Sequence, residues 1–91
     1  MLRIFRATQN NSVIFTPVGR IEGENLEALR RVIGLEARDD NLVLDLKDVT
    51  MVDQSAIRFL TRCEADSVVL ENCPTYIREW ISAEKHLNRR A

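Results

Sequence analysis

The sequence predicts a small α/β domain in which helices flank a mixed β-sheet. Its 91 residues fit one domain, with boundaries predicted at 1–91. The hydrophobic fraction of 45% is close to the average of globular proteins and argues against a disordered chain. Short β-rich runs and stretches of helical periodicity follow one another in the order β-β-α-β-α-β-α. Because such helices need a sheet to pack against, we expect two or three layers.

The N-terminal part of the sequence predicts a β-hairpin. Residues 3–8 and 13–18 are rich in β-forming residues, and a cluster of turn formers lies between them. Pro17 lacks a backbone N–H, so we expect it at a strand end, an edge or a bulge. Gly19 is predicted to break the second strand.

Three helices are predicted from apolar residues at helical spacing, at 22–35, 54–64 and 75–86. The apolar face of the second helix consists of Ala56, Ile57, Leu60 and Cys63. The stripe of the last helix includes Trp80, which we expect in the core rather than at an interface.

Two further strands are predicted around the second helix. Residues 42–46 form a nearly continuous apolar run, as in a central strand covered on both faces. Residues 67–70 form the next strand, and the strand–helix–strand order predicts a parallel crossover. Residues 39–41 are interpreted as a polar turn. Residues 47–52 are predicted as a loop. We expect the side chains of Val49, Met51 and Val52 in this loop to face the core.

Charge and cysteine content exclude several classes of protein. The net charge of −1, with acids and bases interspersed, argues against a nucleic-acid-binding protein. Apolar runs are too short to span a membrane, and the N-terminus does not resemble a secretory signal, so we expect a cytoplasmic protein with no membrane partner. Two cysteines form no disulfide framework, and Cys63 is expected to be buried.

No catalytic, metal or cofactor constellation is found in the sequence, and we expect a protein that is not an enzyme. The single histidine, His86, has no candidate partners for a triad or a metal site near it in the sequence. The glycines are dispersed and form no phosphate loop. Asp45, Asp48 and Asp53 lack a defined ligand spacing, and turn and helix-cap roles are the favoured interpretation.

Two segments resemble the STAS (anti-sigma-factor antagonist) family. Residues 42–56, Leu-Val-Leu-Asp-Leu-Lys-Asp-Val-Thr-Met-Val-Asp-Gln-Ser-Ala, are similar to the family signature of a strand, a loop and an Asp at a helix start. Residues 18–29, Val-Gly-Arg-Ile-Glu-Gly-Glu-Asn-Leu-Glu-Ala-Leu, resemble the strand that leads into the first helix. With the element order, the resemblance covers nearly the whole chain. It implies a STAS-like fold and a regulatory interaction function.

The resemblance also implies roles for residues at the start of the second helix. In the better-known family members the second residue after the helix-start Asp is a Ser or Thr, which a partner kinase, itself an anti-sigma factor, phosphorylates. That residue is Ser55 here, with Asp53 as flanking acid and helix cap. The unphosphorylated domain would bind the anti-sigma factor, and phosphorylation would break the complex. Gln54 and Ala56 depart from the Ser and Gly that many members carry at these positions.

Other interpretations of the same residues stay open. Ser55 also fits an ordinary residue of a helical first turn. Arg58 and Arg62 lie one turn apart, as in a solvated helix face or, less often, a partner surface. A scaffold subunit without phosphorylation is compatible with Gln54 and Ala56, and a ligand-sensing STAS domain is a further alternative. The oligomeric state is left open.

Overall fold

The predicted α/β class is confirmed by the computed structural model, which describes residues 2–36 and 41–90. Its strands are β1 (Leu2–Gln9), β2 (Ser12–Ile21), β3 (Asn41–Asp45), β4 (Val49–Val52) and β5 (Val69–Glu71). Its helices are α1 (Glu24–Gly34), α2 (Gln54–Ala65) and α3 (Thr75–Arg90). The elements follow the predicted order, with β4 as an addition. Of the turn predicted at residues 39–41, Asp39 and Asp40 lie outside the described residues, and the prediction is wrong for Asn41, which begins β3.

The sheet is mixed, and its strand order is β1-β2-β3-β5. The predicted hairpin is confirmed, since β1 and β2 pair antiparallel from Gln9↔Ser12 to Leu2↔Gly19. Asn10 and Asn11 connect the strands with φ of 50° and 67°, as a tight two-residue hairpin loop requires. β2 pairs parallel with β3, and β3 pairs parallel with β5. The predicted parallel arrangement around α2 is therefore confirmed.

β2 continues past Gly19, so the prediction that this residue breaks the strand is wrong. Its first half pairs with β3, and its end pairs with β4 after a register shift between Gly19 and Arg20. Gly19 has φ of 114°, which a residue without a side chain adopts at low cost, so the strand bulges instead of ending. Pro17 lies between the part of β2 that pairs with β3 and the part that pairs with β4. Its missing N–H therefore removes no hydrogen bond from either of these parallel pairings.

The segment predicted as a loop after β3 is partly a strand. β4 pairs parallel with the end of β2, and Gly19 N donates to Asp48 O at 3.1 Å. Val49 and Val52 are buried as expected, but Met51 is 46% exposed. The inward placement of Met51 is wrong because pairing with Arg20 turns it to the face opposite the core.

The main core lies between one face of the sheet and the three helices. Its fully buried side chains include Leu44 of β3, Leu29 of α1, Leu60 of α2 and Ile81 of α3, all in one cluster. A two-layer arrangement results within the described residues. Trp80 is 36% exposed, so its predicted core position is wrong. Ile77 and Ile81 occupy the centre of the buried face of α3, and Trp80 lies at its border.

Element boundaries shift where backbone conformation overrides the hydrophobic pattern. α1 begins at Glu24, two residues later than predicted, because Gly23 has φ of 53° and is not helical. β5 begins at Val69 because Ser67 has φ of 75° and belongs to the turn after α2. α2 begins at Gln54 as predicted, and α3 begins at Thr75 but continues to Arg90.

Candidate functional site

Asp53 forms the start of α2. It follows β4 directly and has an extended backbone with φ of −107°, as an N-cap residue does. Its Oδ1 accepts from Ala56 N at 2.8 Å, and its carbonyl accepts from Ile57 N at 3.0 Å. The capping role predicted for Asp53 is therefore present in the structure.

The same carboxylate also reaches the start of α1. Asp53 Oδ2 accepts from Gly23 N at 3.2 Å, and Gly23 is the N-cap residue of α1. Asp53 N donates to Ile21 O at 3.4 Å, which ties the helix start to the end of β2. One acidic side chain thus satisfies backbone donors at the starts of two helices. Sequence reasoning missed Gly23, although a Gly before a helical stripe is an acceptable N-cap signal.

Ser55 is exposed in the first turn of α2. Gln54 beside it is also exposed, whereas Ala56 is fully buried. The Ala56 side chain faces the core. Its burial alone therefore accounts for a small residue at this position. The N–H groups of Gln54 and Ser55 lie in the helical turn that has no intrahelical acceptors. The site therefore presents a hydroxyl beside the positive end of a helix.

The two arginines of α2 differ in their partners. Arg58 Nε lies 3.3 Å from Glu84 Oε1 of α3, and the Glu84 side chain is only 10% exposed. Arg62 lies 3.9 Å from Asp66, and both of these side chains are largely exposed. Arg62 fits the predicted solvated face, whereas Arg58 holds a nearly buried carboxylate. Glu84 lies three residues after Ile81, on the buried side of α3, and its partner on α2 has no signature in the sequence.

A second ion-pair cluster joins α2 and α3. Glu64 Oε1 accepts from Arg78 Nη1 at 3.0 Å and also from Lys85 Nζ. The hydrogen bond from Arg78 is the main cause that holds the pKa of Glu64 below its ordinary value of 4.5. This carboxylate therefore stays ionised between its two cations at neutral pH.

The aspartates considered for a metal have separate local roles. Asp45 Oδ1 accepts from Lys47 N at 3.1 Å and from Asn72 Nδ2 at 3.0 Å, whereas Asp53 caps α2. Among residues 2–36 and 41–90, no group of His, Cys, Asp or Glu is arranged to hold a metal ion. Turn and cap chemistry thus accounts for Asp45 and Asp53.

The Cys63 thiol is buried, as the sequence predicted. Burial raises its pKa to about 12, and the nearby Asp66 adds to this effect. Cys73 is half-buried, and burial also raises the pKa of its thiol. Both thiols are therefore protonated at neutral pH and are weak nucleophiles.

A cleft of about 760 Å³ lies between α1, α2 and the start of β3. Apolar side chains such as Ile33, Leu42 and Phe59 line it, together with Arg30 and Arg62. The Arg30 guanidinium lies 5.3 Å from the centre of the Phe59 ring, within cation–π distance. Cavities of this volume accommodate small organic ligands in other proteins.

The fold and the site define a class of small α/β domain that presents a capped helix start at its surface. A family model described as STAS domain matches residues 5–66, about two thirds of the chain. The chain therefore belongs to the STAS domain family, which indicates a regulatory role in protein–protein interaction. The match ends at the turn after α2, so α3 lies beyond it. A search of curated proteins gave no match.

No helix in the described part of the chain is both long enough and apolar enough to cross a membrane.

Proposed function

We propose that this chain is a cytoplasmic, non-enzymatic regulator that binds a serine-kinase anti-sigma factor and is switched by phosphorylation at Ser55. The observation that carries the proposal is the exposure of Ser55 in the first turn of α2, in a chain of the STAS family. A kinase needs such an accessible hydroxyl. The family's phosphoacceptor position coincides with it.

The expected effect of phosphorylation is local. A phosphate on Ser55 would add a charge of about −1.5 to −2 beside Asp53. The positive end of α2 stabilises negative charge, so the helix is expected to stay folded. Charge and bulk would instead change the surface that docks the partner. A Ser55→Asp variant should keep the far-ultraviolet circular dichroism of the wild type, and a clear loss of helical signal would contradict this mechanism.

Intact-mass analysis tests the phosphorylation directly. The purified protein is incubated with ATP and the candidate serine kinases of its host. We expect the addition of one phosphate, which disappears in Ser55→Ala and persists in Ser82→Ala. Ser82 is the matched control because it is also an exposed serine in a helix. Absence of the phosphate in the wild type, or its persistence in Ser55→Ala, would contradict the switch.

The outcome also separates the switch from a scaffold function. A chain that accepts no phosphate from any kinase but recovers a stable partner in a pull-down would be an unswitched scaffold subunit of a signalling complex. Gln54 and Ala56, which depart from the family pattern, are compatible with that function.

The cleft between α1 and α2 favours a second candidate function, the sensing of a small ligand. Its apolar lining and Arg30 suit an organic anion with an apolar body, whereas Arg62 is paired with Asp66, which also lines the cleft. Thermal shift measurements with nucleotides and lipids test this function. An increase in melting temperature that is lost in Arg30→Gln would support it, and no shift with any of these compounds would oppose it.

A further inference from the structure

We propose that Arg58 binds the phosphate on Ser55 and, in doing so, releases Glu84 of α3, so that phosphorylation is transmitted from α2 to α3. This inference rests on the proposed phosphorylation of Ser55. It adds a residue that receives the phosphate and a structural response outside the segment matched by the family model.

The helix geometry brings Arg58 to Ser55. The two residues are three positions apart, so they are neighbours on one helical face, with Cβ atoms separated by about 5–6 Å. Side chains on a helix lean toward its N-terminus, which directs Arg58 toward the turn that contains Ser55. Arg58 is the one basic residue in the first two turns of α2. The side chain of Arg58 is 64% exposed, so a phosphate can approach it from solvent.

The ion pair between Arg58 and Glu84 is open to solvent on the Arg58 side. Arg58 contacts Glu84 through a single pair, Nε to Oε1 at 3.3 Å. A groove of about 410 Å³ lies beside this pair between α2 and α3. A phosphate carries more charge than a carboxylate and offers three acceptor oxygens to the guanidinium. The phosphate therefore competes effectively with Glu84 for Arg58.

The loss of Arg58 affects α3 because Glu84 is nearly buried. Among the side chains described for residues 2–36 and 41–87, Arg58 is the one cation within ion-pair distance of Glu84. A carboxylate at a buried position destabilises its surroundings when its partner is removed. The neighbouring pairs of Glu64 with Arg78 and Lys85 still join the two helices, so α3 loosens without detaching.

The test uses protein in which phosphoserine at position 55 is installed during synthesis, so no kinase is needed. Phosphorus NMR follows the second ionisation of the phosphate, whose pKa is ordinarily near 6. We expect Arg58→Gln to raise that pKa by about half a unit relative to the phosphorylated wild type. Arg62→Gln is the matched control, because Arg62 lies two turns from Ser55. An equal pKa in the wild type and Arg58→Gln would overturn the proposal.

Hydrogen exchange of the α3 amides tests the transmission. Phosphorylation should speed exchange around Glu84 several-fold in the wild type. In Glu84→Gln, which carries no charge to leave unpaired, phosphorylation should have no such effect. Unchanged exchange in the wild type would overturn the release of Glu84.

Phosphorylation of Ser55 by a kinase and binding of the phosphate by Arg58 are tested by separate measurements. If no host kinase modifies Ser55, the proposed switch fails, while the synthetic phosphoprotein still shows whether Arg58 binds the phosphate. If a kinase modifies Ser55 but the phosphate pKa is the same in the wild type and Arg58→Gln, the proposed phosphorylation switch is supported. The proposed binding of the phosphate by Arg58 is then wrong.

Discussion

Asp53 Oδ2 accepts a hydrogen bond from Gly23 N at 3.2 Å, while Asp53 Oδ1 accepts from Ala56 N at 2.8 Å. One carboxylate therefore joins the starts of α1 and α2. Ser55 lies two residues beyond this carboxylate. The position of the proposed phosphoacceptor thus depends on a contact between residues that are 30 positions apart.

Loss of the Asp53 side chain should destabilise the protein. Asp53→Ala removes a helix cap and the bond to Gly23, and we expect the free energy of unfolding to fall by about 2 kcal/mol. Asp53→Asn keeps an acceptor and should cost less. Urea denaturation measures both. Asp48→Ala is the control, because Asp48 is exposed and its backbone carbonyl, not its side chain, accepts from Gly19 N. This substitution should change the free energy of unfolding by less than about 0.5 kcal/mol. Equal effects of Asp53→Ala and Asp48→Ala would contradict the bridging role.

The backbone of Gly23 requires a residue without a side chain. Its φ of 53° and ψ of −127° are strained for other residues, although a Cβ atom would meet nothing within 4 Å. Gly23→Ala should therefore destabilise the fold by about 1–2 kcal/mol through conformational strain alone.

Gly34→Ala provides the matched control. Gly34 also has open space around it, but it belongs to α1 and has no positive φ. Its replacement should be neutral or should stabilise the protein by about 0.5 kcal/mol. Thermal unfolding compares the melting temperatures of the two variants. Equal melting temperatures of Gly23→Ala and Gly34→Ala would contradict the predicted backbone strain at position 23.

Glu64 should contribute stability that depends on pH. Its pKa in the folded protein lies below the ordinary value of 4.5, mainly because Arg78 donates to it. The contribution is therefore present above that ordinary value and is lost as the pH falls through the folded-state pKa. Near neutral pH, Glu64→Gln should unfold more easily by roughly 0.5–1 kcal/mol, and at about pH 3 this difference should shrink. A difference that stays constant between these conditions would show that the ion pairs do not stabilise the fold.

The two thiols should differ in reactivity. Cys63 is buried and its pKa is raised to about 12, whereas Cys73 is half-buried. At mildly alkaline pH, iodoacetamide should modify Cys73 at least about tenfold faster than Cys63. Peptide mapping by mass spectrometry gives both rates. Modification of Cys63 in Cys73→Ser should require denaturant, and rapid labelling of the native variant would contradict the burial of this helix face.

The sequence predicted the elements whose local patterns are strong. The hairpin, the start of α2 and the buried face from Ala56 to Cys63 follow from turn chemistry, a cap residue and helical periodicity. β4 was missed because its four residues have no alternating pattern and are extended by pairing with β2 beyond the bulge at Gly19.

The long-range contacts of the site could not be predicted from local patterns. The Asp53–Gly23 bond and the Arg58–Glu84 pair join residues on different elements, and neither pair has a sequence signature. Trp80 was misplaced because hydrophobicity alone does not distinguish the centre of a helix face from its border. Asp53 and Arg58 reach their partners on other elements only once the tertiary structure forms.

The most direct test of the central claim is the dissociation constant between this protein and the serine-kinase anti-sigma factor proposed to modify Ser55, measured with and without the phosphate. We predict that the unphosphorylated protein and Ser55→Ala bind with similar affinity, and that the phosphorylated protein binds at least about tenfold more weakly. Equal affinity of the phosphorylated and unphosphorylated forms would contradict the account, because the phosphate would then leave the docking surface unchanged.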